Sequence, residues 1–160
     1  MTPPFSTFAA IRYGFGLSPN VAAPTDLGEM LGWLREPDVI VAQFPIAGFE
    51  PRRRETAAWG ELRKALRAET DGAEAAFKAA NLVALSEMSR DLVSTVNRVV
   101  ASPDGFRERL VQFWADHFTV DSSGKGLRFV TLGYVEDAIR PNITGNFRDL
   151  LAAVELHPAM

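Results

Sequence analysis

The chain contains no cysteine in 160 residues. That absence removes disulfides, thiolate metal sites and thiol nucleophiles together. It also has little net charge, −3, so no bulk field draws it to nucleic acid or anionic lipid. No apolar run approaches the length that spans a bilayer. The opening Met1-Thr-Pro-Pro-Phe has no positive n-region, and no apolar h-region follows before Arg12. These absences predict a soluble chain with no nucleic-acid partner and no membrane span, cytoplasmic as far as its own sequence goes. Histidine is scarce as well, with two in the chain. No repeat period and no low-complexity segment is visible.

What is present is ordinary for a globular domain: 47% apolar and 23% charged residues, enough to bury a core without staples. Phe5, Phe8, Ala9 and Ile11 recur at helical spacing until Gly14 and Gly16 break the pattern. Thr25 and Asp26 are caps for a helix carrying Leu27, Met30, Leu31 and Leu34 on one face. Pro37 ends it. The run Asp38 to Ala42 is the one strand-like segment, and being short and unpaired it is expected as an extended connector.

From about Arg53 the helical period is strong, with Trp59, Leu62 and Leu66 on one face. Asp71-Gly72 interrupts. The longest helix is expected over 73–101, striped by Leu85, Met88, Leu92, Val96 and Val99 and widened by Leu82, Val93 and Val100, which predicts contacts on two sides. Ser102-Pro103-Asp104 marks a stop and restart, with Ser102 as N-cap. The next helix presents Phe106, Leu110, Phe113, Trp114 and His117. After a Ser- and Gly-rich stretch, 121–126, a further helix carries Leu127, Val130, Tyr134 and Ala138, and Pro141 closes it. A last helix, opening near Thr144 or Asn146, is expected to bury Phe147, Leu150, Leu151 and Val154. The sum is an all-α, multi-helix bundle-like domain with one long central helix.

His117 lies on an aromatic face with Asp116 and Asp121 close in sequence, which suits an acid–base or metal site. The spacing matches no metal-ligand signature, and that favours a helix histidine bonded to a carbonyl or carboxylate. His157 ends a helix, where it can bond free carbonyls. Arg12, Arg140, Asn142 and Asn146 form a second group. An arginine on an apolar first helix and another before a proline can hold an anion or pair structurally, Arg140 with Glu136 or Asp137. Arg52-Arg53-Arg54 is the one basic cluster, and interleaved acids make it a solvated helix face. Gly14-Phe15-Gly16 lacks a dinucleotide fingerprint, Ser123-Gly124-Lys125-Gly126 lacks a phosphate loop, and no serine sits in a nucleophile elbow. No cofactor motif stands out.

Three long motifs carry a family resemblance: Arg12-Tyr-Gly-Phe-Gly-Leu, Arg109-Leu-Val-Gln-Phe-Trp-Ala-Asp-His-Phe-Thr-Val, and the run from Asp137-Ala-Ile-Arg-Pro-Asn to Leu156-His-Pro-Ala-Met. Through them the chain resembles the bacterial domain-of-unknown-function family 1800. That family brings no established activity. The resemblance implies that residues 1–160 form a single helical domain, the N-terminal part of a longer family domain that continues past His157-Pro158-Ala159-Met160. Many exported members carry a signal ahead of this region, so the resemblance also implies an exported location for such relatives. The middle motif in the family often carries a further histidine; here Ala115 and Asp116 stand there, and no paired-histidine site is implied.

Three functions emerge as expectations. The first is a scaffold segment that exposes apolar surface and self-associates through it. The second is part of a hydrolytic or metal-dependent site built from His117, Asp116, Asp121 and Arg140 and completed by further residues. The third is a partner-binding helical module using the stripes of the long helix.

Overall fold

The computed structural model describes residues 2–120 and 130–160, and every regular element in them is helical. Expected elements over Leu127 and the stretch 121–126 lie outside the described residues. Helix α1 (Phe5–Arg12) follows Pro4. Helix α2 (Leu27–Trp33) is closed reciprocally: Asp26 Oδ1 accepts from the Glu29 N–H at 2.9 Å, and Glu29 Oε2 accepts from the Thr25 N–H at 2.7 Å. Of its predicted apolar face only Met30 is buried, while Leu27 and Leu31 are exposed.

The segment expected to be an extended connector is instead a helical turn, α3 (Ile40–Gln43). Ile40 is fully buried and Asp38 just before it is held by Arg140 at 2.9 Å. Both are tertiary anchors that override a weak local preference for extension.

Helix α4 (Phe49–Arg67) starts a turn earlier than Arg53. The reason is remote: Asp137 Oδ2 accepts from the Phe49 N–H at 2.7 Å, across 88 residues of sequence. A carboxylate at that helix start satisfies an orphan donor and faces the positive end of the dipole. At its other end, the Thr70 N–H bonds the Ala65 carbonyl and the Glu69 N–H bonds that of Leu66, with Glu69 at φ 52°. This Schellman closure turns the chain into α5 (Ala73–Ala101), 29 residues long and packed against α4.

Ser102 ends α5 rather than capping the next helix. Asp104 is the cap of α6 (Gly105–His117), its Oδ1 accepting from the Arg107 N–H at 2.9 Å. Helix α7 (Thr131–Tyr134) runs on as one wide turn (Val135–Ile139) and one tight turn (Arg140–Asn142). Pro141 accounts for the change of pitch. It has no N–H to donate, and its ring collides with the carbonyl four residues back, that of Asp137, which lies inside the widened turn. Helix α8 (Phe147–Glu155) is capped by Asn146.

An apolar core forms where α4 starts, between α7 and α8, around Phe49, Tyr134, Ala138, Ile139, Leu150 and Val154. Gly133 makes the approach of α7 to α4 possible: a Cβ there would fall 2.7 Å from the Gly48 carbonyl carbon and the Phe49 nitrogen. The predicted Phe147 and Leu151 on α8 remain exposed.

Helix α5 is built the other way round. The residues it buries in its interior are Asp91, Ser94 and Arg98. Leu82, Val83, Leu92, Val93, Val96 and Val100 are between 50% and 66% exposed. Of the stripe expected to make contacts on two sides, Leu85, Met88 and Val99 are half-buried, while Leu92 and Val96, with Leu82, Val93 and Val100, stay open. Helix α6 repeats the pattern, burying Arg107, Glu108 and Val111 while Phe113 is 56% exposed. Among the described residues no helix is long and apolar enough to cross a membrane.

Candidate functional site

The polar face of α5 leads into a chain of buried ion pairs. Arg98, 1% exposed, donates from Nε to the Phe44 carbonyl at 2.8 Å and from Nη1 to Glu136 Oε1 at 2.6 Å. Arg140, on the tight turn after the widened pitch, meets Glu108 of α6 in a two-pronged pair of 2.9 and 2.7 Å. It also donates to Asp38 at 2.9 Å, and its Nε stands 3.5 Å from Glu136. The planar guanidinium fork suits such a bidentate carboxylate contact. Burial by itself would lower the pKa of Arg140; hydrogen bonding to Glu108 and its charge, then Asp38 and Glu136, outweigh it and raise it above the usual range. The cluster thus sets two guanidiniums against three carboxylates, Glu108, Glu136 and Asp38. It is already over-supplied with negative charge.

Two further arginines serve the same layer. Arg107 binds its own cap, Asp104, at 3.1 Å and donates through Nη2 to the carbonyls of Trp33, Leu34 and Glu36. It therefore satisfies the open end of α2, a task that terminal carbonyls impose on any buried helix end. Burial pushes the Asp104 carboxyl upward, against the lowering effect of Arg107. Arg52 joins α4 to α5, donating to Asp91 at 2.6 Å, Glu55 at 2.9 Å and Glu87 at 3.2 Å. The same balance holds for Asp91: burial raises its pKa and Arg52 opposes the rise. Arg53 and Arg54 are solvated as expected, but Arg52 is 3% exposed and is a buried linchpin of the helix pair.

The residues singled out from the sequence are spread over several places. His117 is exposed at the last turn of α6, 4.8 Å from the Phe118 ring centroid and stacked at 6.2 Å on Phe113. Asp116 beside it is exposed; Asp121 lies outside the described residues. Among the described residues no group of three or more His, Asp or Glu side chains could hold a metal. Arg12 is exposed at the end of α1. Asn142 donates to the Ala138 carbonyl at 2.9 Å, and Asn146 caps α8. Only Arg140 of that group enters the ion-pair cluster. It pairs with Glu136, as one alternative held, whereas Asp137 turns away to cap α4.

His157 is partly buried with its ring against Phe49 and Tyr134, at 4.8 and 5.1 Å, and its Nδ1 accepts from the Ala159 N–H at 3.2 Å. Burial lowers its pKa, and the nearby charge of Asp137 opposes that.

Arg98, Glu108, Arg107 and Asp91 escape a search for apolar stripes and short motifs. The signal that reveals some of them is a second stripe on α5. Glu87, Asp91, Ser94 and Arg98 recur at intervals of four, three and four, on the side opposite Val93 and Val96. A concavity of about 730 Å³ is lined by Tyr13, Phe15, Met30, Trp33, Val99 and Phe106 among others, with no charged side chain. It lacks the convergent ionisable groups that mark a catalytic pocket.

A family model described as Protein of unknown function (DUF1800) matches residues 9–160, and the chain belongs to that family. No curated protein and no solved structure matches it.

Proposed function

We propose that this domain is a docking layer: a helical slab held together internally by arginine–carboxylate pairs, whose outward apolar face on α5 packs against further protein. The single observation behind this is the inverted burial of α5, with Asp91, Ser94 and Arg98 inside and six Leu and Val side chains open to solvent. A contiguous apolar face of that kind on a folded chain marks an interaction surface. The internal charges add support in another way. Among the described residues, the buried arginines, Arg52, Arg98, Arg107 and Arg140, are each committed to carboxylates or backbone carbonyls of this chain, so the polar interior fixes the helices in place rather than presenting a charged pocket.

The test is a hydrophobic dye that fluoresces on apolar surface, with Val93→Glu as the variant. At a dilution where the protein is monomeric by light scattering, strong dye binding by the native protein, lost in a Val93→Glu protein of unchanged helicity, is the expected result. A native monomer that binds no dye and whose Val93→Glu variant behaves identically sinks the docking role.

The second function, an acid–base or metal site at His117 with Asp116 and Asp121, draws on the solvent access of His117 and Asp116 at the end of α6. It requires a stoichiometric metal in elemental analysis, or a pH-dependent activity, that His117→Ala abolishes while leaving the unfolding midpoint unchanged.

A further inference from the structure

We infer that the occupant of the α5 face is a second copy of this chain, packed antiparallel about a two-fold axis between Ser86 and Ser89; this rests on the docking function proposed above. The outward residues of α5 follow a strict alternation of four and three, from Ala75 through Ala79, Leu82, Ser86, Ser89 and Val93 to Val96 and Val100, and all eight are exposed. That spacing is the seam of a two-helix coiled coil. At 1.5 Å per residue it runs for about 37 Å. No charged residue stands on it.

Side-chain size along the seam decides the partner. The N-terminal half is small and the C-terminal half bulky, so a parallel copy would set Ala on Ala at one end and Val on Val at the other. Turned antiparallel about its middle, the seam matches itself. Ala75 then lies opposite Val100, Ala79 opposite Val96, Leu82 opposite Val93, and Ser86 opposite Ser89. Each layer combines one smaller and one larger side chain, or two serines that can hydrogen-bond, which suits close packing. The flanks agree: Arg90 falls across from Val83 and Lys78 across from Val99, so no like charges meet. Antiparallel helix dipoles add a small favourable contribution.

The area is sufficient. Leu82, Val83, Leu92, Val93, Val96 and Val100 each expose roughly 100 Å², the amount whose burial gives a Val or Leu its full hydrophobic value. Two copies together remove about 1,200 Å² from water, the lower bound of a stable interface. A two-fold pairing of this kind uses the same patch on both chains, as closed dimers do.

Light scattering on the full chain over a micromolar concentration series tests the stoichiometry, and cysteine cross-linking tests the register. The native chain has no cysteine to interfere. The expected result is a dimer mass that returns to monomer in Val93→Glu with helicity retained. In addition, an oxidised mixture of Ala79→Cys and Val96→Cys proteins should cross-link, while neither does so alone. A native monomer that still binds the dye in a Val93-dependent way overturns the second copy and leaves the docking function standing. A native monomer without dye binding overturns both. A dimer in which Ala79→Cys cross-links to itself overturns the antiparallel register.

Discussion

Two regions of this molecule fold by opposite rules. Where α7 and α8 meet the start of α4, Tyr134, Ala138, Ile139, Leu150 and Val154 are inside, as the hydrophobic effect dictates for a slab of helices. Along α5 and α6 the inside belongs to Asp91, Arg98, Arg107 and Glu108, and the outside to Leu, Val and Phe. The second sets its buried charges against one another while its apolar side faces water, the arrangement from which the docking role is proposed. A core can thus be specified by charge geometry as well as by apolar volume, and on this chain the two meet on the turns after α7, where Glu136 and Arg140 join the charged cluster and Ala138 and Ile139 the apolar core.

The sharpest break of that comparison is Arg140→Met. Removing it strands Glu108, 1% exposed, and Asp38; leaving a buried carboxylate unpaired costs about 3–5 kcal/mol, read as a lowered urea midpoint. Pairing it with Glu108→Leu removes both charges and should recover most of the loss. A double variant as unstable as the single would show that the cluster does more than neutralise itself.

Next comes one substitution made in each region. Leu150→Ala empties a site 2% exposed and should cost about 2–5 kcal/mol. Leu82→Ala, at a site 60% exposed, should change the stability of the dilute monomer by less than about 0.5 kcal/mol. Equal losses at the two sites would erase the distinction between the regions.

Gly133→Ala probes the apolar side at backbone level. The added methyl meets the Gly48 and Phe49 backbone at 2.7 Å, and an overpacked contact that must shift costs about 1–3 kcal/mol. A fully stable variant would mean that α7 has room to move away from α4.

The smallest effect is a pH dependence at His157. Burial holds its folded pKa below the ordinary histidine value, so the unfolded chain takes up the proton first as pH falls. Its stabilisation is therefore present above about pH 6.5 and lost as pH drops through the folded value. Protonation of Nδ1 would also remove the acceptor for the Ala159 N–H. The melting temperature should fall between about pH 7 and pH 5, and His157→Gln should flatten that part of the curve. An unchanged slope in the variant assigns the effect elsewhere.

Part of the apolar region was readable locally: Leu150 and Val154 stand one helical turn apart, and Asn146 is a cap by type, though Phe147 and Leu151 of the same reading stay exposed. The bounds of α5 were legible for the same reason, with Gly72 and Ser102 bracketing an unbroken period, whereas the short helix α3 was missed. The charged region was not. Arg98 to Phe44, Asp137 to Phe49 and Arg140 to Asp38 join positions between 54 and 102 residues apart, and nothing local selects them. Apolar periodicity shows that α5 has two faces but not which one is buried; a charge that will be paired looks the same in sequence as one that will be solvated. Nor was the widening before Pro141 legible: the proline was expected to close the helix, but Arg140 before it keeps a helical backbone and the chain runs on through a tight turn to Asn142.

The central claim is that α5 turns its polar face in and its apolar face out, and two neighbouring residues test it directly. In this cysteine-free chain, Val93→Cys and Ser94→Cys each introduce one thiol, and their reaction with a thiol reagent can be timed at a dilution where the protein is monomeric by light scattering. The exposed Val93 position should label at the rate of a free thiol, and the buried Ser94 position at least about a hundredfold more slowly, since it must await local opening. Protection at Val93 with rapid labelling at Ser94 would contradict the account.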